Sequence, residues 1–182
     1  AWTVEAENGD ISTEYNNPLW VNVHAVVDDP TLSVTDGTGD EDTAIGFTLD
    51  PALVDQDGSE ILTVEVLNIP VGAVLTDGDL SFTATEGTTS RDVTDWNWDQ
   101  LQLTPPTHSD ANIELTITAT ASEGENSSTQ QTVDTLTLSV DAVADAPTVT
   151  VLPASGAEDA QIALSIDSAL VDDDGSETLR LT

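Results

Sequence analysis

Cysteine is absent from the 182 residues, which excludes disulfides, thiolate metal sites and thiol nucleophiles together. Lysine is absent too, so no lysine-based intramolecular crosslink can form. The only strongly basic side chains are Arg91 and Arg180, set against 35 acidic residues and a formal net charge of -33. Nucleic acid is excluded as a partner, because gripping a phosphate backbone needs the opposite sign. Anionic membrane surfaces are disfavoured for the same reason. No apolar run approaches the ~20 residues that cross a bilayer, so no direct membrane insertion is expected, and no basic-then-apolar signal segment opens the chain. With covalent staples ruled out, a bound metal is the obvious remaining stabiliser.

What is present repeats. Residues 140–182 restate residues 23–65 at an offset of 117 without a gap, and about half of the aligned positions are identical. VHAVVDDPTLSV (Val23 to Val34) returns as VDAVADAPTVTV (Val140 to Val151), and ALVDQDGSE (Ala52 to Glu60) as ALVDDDGSE (Ala169 to Glu177). A period of this size is one domain in length, so the chain reads as a slice through a tandem array. Leu19 to Val26 parallels Leu136 to Val143 in the same way. The expected organisation is residues 1–26 as the last two strands of a preceding repeat, 27–144 as a complete module, and 145–182 as the first strands of the following one.

The segments alternate with period two. Ile113, Leu115, Ile117, Ala119 and Ala121 interleave with Glu114, Thr116, Thr118 and Thr120; Leu136, Leu138 and Val140 interleave with Thr135, Thr137 and Ser139. Leu80, Phe82 and Ala84 alternate likewise, and shorter stretches at 31–35, 44–49, 62–66 and 101–104 read as strands. Turns are marked by Asp77-Gly78, Pro70 with Gly72, Glu86-Gly87 and Pro105-Pro106. No stretch carries a helical period. Some seven short strands per module predict an all-β fold, an antiparallel Greek-key β-sandwich.

Strand direction sorts the carboxylates into two poles. If the strand at 31–35 runs from the N-terminal to the C-terminal pole, Glu41 and Asp42 lie at the C-terminal pole, with Asp110 and Asn112. Asp55, Asp57 and Glu60 then lie at the N-terminal pole, beside the linker residues Asp28 and Asp29 and beside Glu123. Stacking modules end to end gathers Glu41, Asp42 and Asp110 of one module, Asp141 and Asp145 of the linker, and Asp172, Asp174 and Glu177 of the next. Unpaired, that charge would force the modules apart; Ca²⁺ takes about six to eight oxygens and would hold them together. Ca²⁺ is therefore the expected cofactor, and neighbouring repeats of the same polypeptide are the expected partners. A solvated acidic surface accounts for most of the other carboxylates.

This arrangement resembles the cadherin-like domains, in which an early Glu, an Asp-x-Glu before a late strand, an acidic linker and an Asp-x-Asp of the following domain share Ca²⁺. Glu41, Asp110-Ala-Asn112, Asp141 to Asp145 and Asp172-Asp-Asp174 stand at the matching places. The stretches EDTAI, LVDQDGSE, IPVGAVLTDG and LTITATASEGE are similar to the tandem extender repeats of large RTX-type bacterial adhesins. The resemblance implies an extracellular, Ca²⁺-stiffened rod on a bacterial cell surface, exported unfolded by the type I route and projecting a binding tip for adhesion or biofilm formation. Two departures stand out. Asn112 replaces an acid, and His24 stands where the second junction has Asp141, so the first joint is expected to hold metal less tightly.

Other motifs fall away. DQDGSE is not an EF-hand, since placing Gly58 as the loop glycine puts Leu53 and Val64 at ligand positions 1 and 12. DGTGDED (Asp36 to Asp42) occurs once and lacks the phase of a calcium nonapeptide. A hydrolytic triad would need His24, in a linker, or His108, in a Pro-rich loop, and neither suits one, so no enzyme is expected. The rival to a spacer is a carbohydrate- or cell-surface-binding module using Trp96 and Trp98, which at i, i+2 would share a strand face. The simpler alternative places at least one of these rings in the core.

Overall fold

Alternating Thr and β-branched or apolar residues favour a pleated, half-buried backbone, and strands dominate the computed structural model, which describes residues 26–56, 58–124, 127–172 and 175–182. The expected strands before residue 26, His24, Asp57 and Asp174 lie outside the described residues. In chain order the strands are β1 (Thr31–Thr35), β2 (Gly37–Asp40), β3 (Ile45–Gly46), β4 (Thr48–Ala52), β5 (Glu60–Leu67), β6 (Val74–Thr76), β7 (Ser81–Thr83), β8 (Arg91–Asp92), β9 (Gln102–Thr104), β10 (Ile113–Glu123) and β11 (Thr129–Asp141). A second hairpin follows, β12 (Thr148–Leu152) with β13 (Ser165–Ala169). No helix among the described residues is long and apolar enough to cross a membrane.

The molecule is an all-β sandwich. One sheet has the order β2-β11-β10-β5-β8 and another β3-β9-β6-β7, while β1 pairs with β4 alone. The apolar sets predicted on β10 and β11 point inward: Leu115, Ile117, Leu136 and Leu138 are fully buried. They share a core with Val64 and Val66 of β5, Leu75 of β6, Leu103 of β9 and Ile45 of β3. Each such Leu or Ile contributes about 1.5–3 kcal/mol by leaving water.

One pair departs from the antiparallel expectation. β2 runs parallel to β11, from Gly37 opposite Leu138 to Asp40 opposite Asp141. The chain leaves the β1–β4 pair and enters β2 of the five-stranded sheet, crossing at Asp36, whose Oδ1 accepts from the Thr137 N–H at 2.8 Å. Gly37 makes the crossing possible, because a Cβ there would stand 2.5 Å from the Gly46 carbonyl oxygen and 2.9 Å from Leu138. The strand predicted at 44–49 is likewise divided. β3 pairs with β9, β4 pairs with β1, and the Phe47 N–H between them reaches the Leu101 carbonyl at 3.0 Å.

Asp77 organises the turn before β7. Its carboxylate accepts from the N–H groups of Asn97 (2.9 Å), Leu80 (2.7 Å) and Asp79 (3.0 Å). These bonds, the one from Asn97 foremost, hold its carboxyl below the usual carboxylate range. Leu80, predicted to begin a strand, belongs to this turn and is exposed.

Two outcomes follow from this packing. Gly37→Ala should lower unfolding stability in urea by about 1–3 kcal/mol, since backbone stands where the methyl would go. Because the Asp77 pKa is depressed on folding, its stabilisation is present above the unfolded value near 3.8 and is lost as pH falls through the folded one. Asp77→Asn should therefore reduce the melting temperature at pH 7 and flatten its decline below about pH 4.

Candidate metal centre

At the N-terminal pole β5 begins where β10 ends, and the pairing register sets Glu60 opposite Glu123. Both are buried, at 7% and 2% exposure. Glu60 Oε1 accepts from the Asp28 N–H at 2.9 Å, and its other oxygen is buried with no hydrogen-bond partner. Two facing carboxylates with buried oxygens repel each other unless a cation joins them. Asp55 is half-buried in the loop leading to Glu60.

At the C-terminal pole the ends of β2 and β11 fix the geometry. The Glu41 N–H continues the ladder to the Asp141 carbonyl at 2.9 Å. The Glu41 side chain, 4% exposed, accepts from the Val143 N–H at 2.6 Å through Oε1, and Oε2 is buried without a hydrogen-bond partner. From the following repeat, Glu177 Oε1 accepts from the Asp145 N–H, and its Oε2 too is buried without one. Glutamates from both sides thus grip the linker at Val143 and at Asp145. Asp172 is buried, at 1% exposure, in a segment whose apolar side chains are largely exposed. A cleft of about 570 Å³ lies beside the linker, lined in part by Asp145 and Glu177.

The two repeats keep equivalent bonds. Asp28 to Glu60 returns as Asp145 to Glu177, and Thr31 Oγ1 to the Ala52 carbonyl, 3.3 Å, returns as Thr148 to Ala169, also 3.3 Å. Asp42 and Asp159 both have φ near 60° (53° and 61°), and Gly58 and Gly175 both have φ above 90°. At the 117-residue offset the β1–β4 and β12–β13 hairpins therefore share local bonds and turn dihedrals.

Not every expected ligand is placed alike. Asn112 accepts from the Val140 N–H at 3.1 Å, which makes it a brace between β10 and β11. Asp110 and Asp141 are exposed. Asp42 and Asp145 come together around a residue that the sequence did not single out as a ligand. His108 Nδ1 lies 3.2 Å from Asp42 Oδ2 and 3.1 Å from Asp145 Oδ2. The loop that carries it, with φ 58° at His108 itself, is not periodic. The tryptophans do not share a strand face. Trp96 is buried in the core beneath the Arg91 guanidinium, and Trp98 starts a 3-10 turn with its Nε1–H donating to the Val93 carbonyl at 2.8 Å.

The donor chemistry suits a hard dication. Among the described residues, Glu41, Glu60 and Glu177 each commit one oxygen to a backbone amide and keep a second that is buried and without a hydrogen-bond partner. Carboxylate oxygens are the donor type that Ca²⁺ takes.

No protein-family model matches the chain, and no curated protein sequence matches it. Among solved structures it is similar to AggA, the major subunit of aggregative adherence fimbriae type I from Escherichia coli, at 18% sequence identity and a TM-score of 0.36, over 65% of this chain and 100% of that one.

The buried glutamate pair gives a test in which the sign reverses. In chelator, Glu60→Gln should raise stability, by about 1–3 kcal/mol for two charges ~5 Å apart between the water and ε ≈ 20 limits. With Ca²⁺ at ten to a hundred times its Kd, the same substitution should instead lower stability, forfeiting about 1.4–2.7 kcal/mol of binding linkage. Urea unfolding in the two buffers measures both, and an unchanged sign would rule out a cation between Glu60 and Glu123.

Proposed function

We propose that this chain is a non-catalytic, Ca²⁺-rigidified spacer repeat of a bacterial surface adhesin, an extender that holds a binding tip away from the cell. One observation carries the reading: glutamates on both sides of the linker, Glu41 and Glu177, bond its backbone while each keeps a buried oxygen for a cation. In this reading residues 27–144 are one module, 145–182 open the next, and Ca²⁺ fixes the angle between them. Metal held only outside the cell would suit a cysteine-free chain exported unfolded by the type I route. The extracellular setting and a role in adhesion or biofilm formation belong to the same proposal, which rests on the motifs and the pole geometry.

The alternative, a carbohydrate- or cell-surface-binding module, draws little support from the tryptophans, since Trp96 is buried and the Trp98 indole N–H is bonded internally.

Ca²⁺ removal is the direct test. EDTA should lower the melting temperature of the 182-residue chain and speed proteolysis at the linker around Asp141 to Asp145, and added Ca²⁺ should reverse both. Each occupied site contributes about 1.4–2.7 kcal/mol at ten to a hundred times Kd. Melting and cleavage indifferent to EDTA would overturn the calcium account.

A further inference from the structure

The Asp42–His108–Asp145 cluster does not fit the chemistry proposed for the rest of the joint. Ca²⁺ takes oxygen ligands and has little affinity for imidazole nitrogen, whereas Zn²⁺ and its neighbours bind nitrogen and carboxylate oxygen together. The three candidate atoms lie within 4.8 Å of one another. His108 Nδ1 is 3.2 Å from Asp42 Oδ2 and 3.1 Å from Asp145 Oδ2, yet it is buried and makes a hydrogen bond of good geometry to neither. A single N–H cannot point along two such directions at once. Ligands at about 2.0 Å around a tetrahedral Zn²⁺ stand ~3.3 Å apart, close to both separations.

The surroundings hold the set in place. The His108 backbone N–H donates to Asp42 Oδ1 at 2.9 Å, which orients the carboxylate and turns Oδ2 toward the ring. That is an outer bond of the kind that fixes metal ligands. Asp145 is oriented from the other side, its backbone N–H bonded to Glu177 Oε1. Asp42 is exposed and His108 and Asp145 are half-buried, so water can fill a fourth position and an ion can enter.

We propose that Asp42, His108 and Asp145 form a transition-metal site of the Zn²⁺ class that ties the body of one repeat to the lead-in strand of the next. Asp42 comes from the turn after β2, His108 from the loop before β10, and Asp145 from beyond β11. The ion would act as a non-covalent crosslink across the joint. The site requires no Ca²⁺ at Glu41 or Glu60, so it stands apart from the calcium reading.

Zn²⁺ titrated calorimetrically into the whole chain in excess Ca²⁺ should bind at one equivalent. His108→Ala should weaken that binding by more than the ~100-fold upper range seen for loss of an outer-shell partner. Asp145→Asn should weaken it too, while His24→Ala leaves it intact. In the unsubstituted chain, ¹⁵N NMR of the imidazoles should place the metal on His108 Nδ1, a readout that stands even if His108→Ala fails to fold. Zn²⁺ binding that survives His108→Ala, that is abolished by Ca²⁺, or that appears on Nε2 would overturn the proposal. Absence of Zn²⁺ binding would leave His108 as a simple ion-pair latch and also overturn it. Failure of the calcium reading would show separately, as a melting temperature insensitive to EDTA with the Zn²⁺ titration unchanged.

Discussion

A chain with 35 acidic side chains and two arginines cannot neutralise its carboxylates internally, and the fold reflects that constraint. Most carboxylates stay in water. Several buried or half-buried ones accept from backbone amides: Asp77 from three, Glu41 from Val143, Glu60 from Asp28 and Glu177 from Asp145. Charge-assisted bonds of this kind are strong, but one amide satisfies only one oxygen. Asp77 is satisfied by its three amides and closes a turn. Glu41, Glu60 and Glu177 are not, since each keeps one buried oxygen without a hydrogen-bond partner. The number of amides within reach thus separates Asp77 from the three glutamates.

Much of this was legible in the sequence. The alternation at 113–121 and 135–140 identifies β10 and β11 because both flank the core, so every second residue is apolar. The polar start of β11, Thr129 to Asp134, carried no such signal, since it is held by pairing with β10 while its side chains face largely outward. β2 was illegible for a different reason. Gly-Thr-Gly-Asp reads as a turn, and it becomes a strand only because β11 offers an edge and glycine permits close approach. The poles were readable from strand direction, and the repeat placed equivalent acids in equivalent loops. The partner of Asp42 and Asp145 was not, because His108 sits in an aperiodic loop and reaches them only through tertiary contact.

The β1–β4 and β12–β13 hairpins share one register in different surroundings. Leu32 and Val34 of β1 pack against the core, whereas their counterparts Val149 and Val151 of β12 are 55% and 61% exposed. The hairpin register is nevertheless the same, Thr31 opposite Ala52 and Thr148 opposite Ala169.

The parallel pairing of β2 with β11 sets how the sandwich would respond to tension applied between its ends. β2 lies near the start of the module, β11 at its end, and both run from the N-terminal to the C-terminal pole. Tension along the chain pulls β2 toward one pole and β11 toward the other. The ladder from Gly37 and Leu138 to Asp40 and Asp141 is then loaded in shear, so its hydrogen bonds share the force and must break together rather than peel apart one after another. The Glu41 N–H to Asp141 carbonyl bond extends that shear-bearing patch to the edge of the linker.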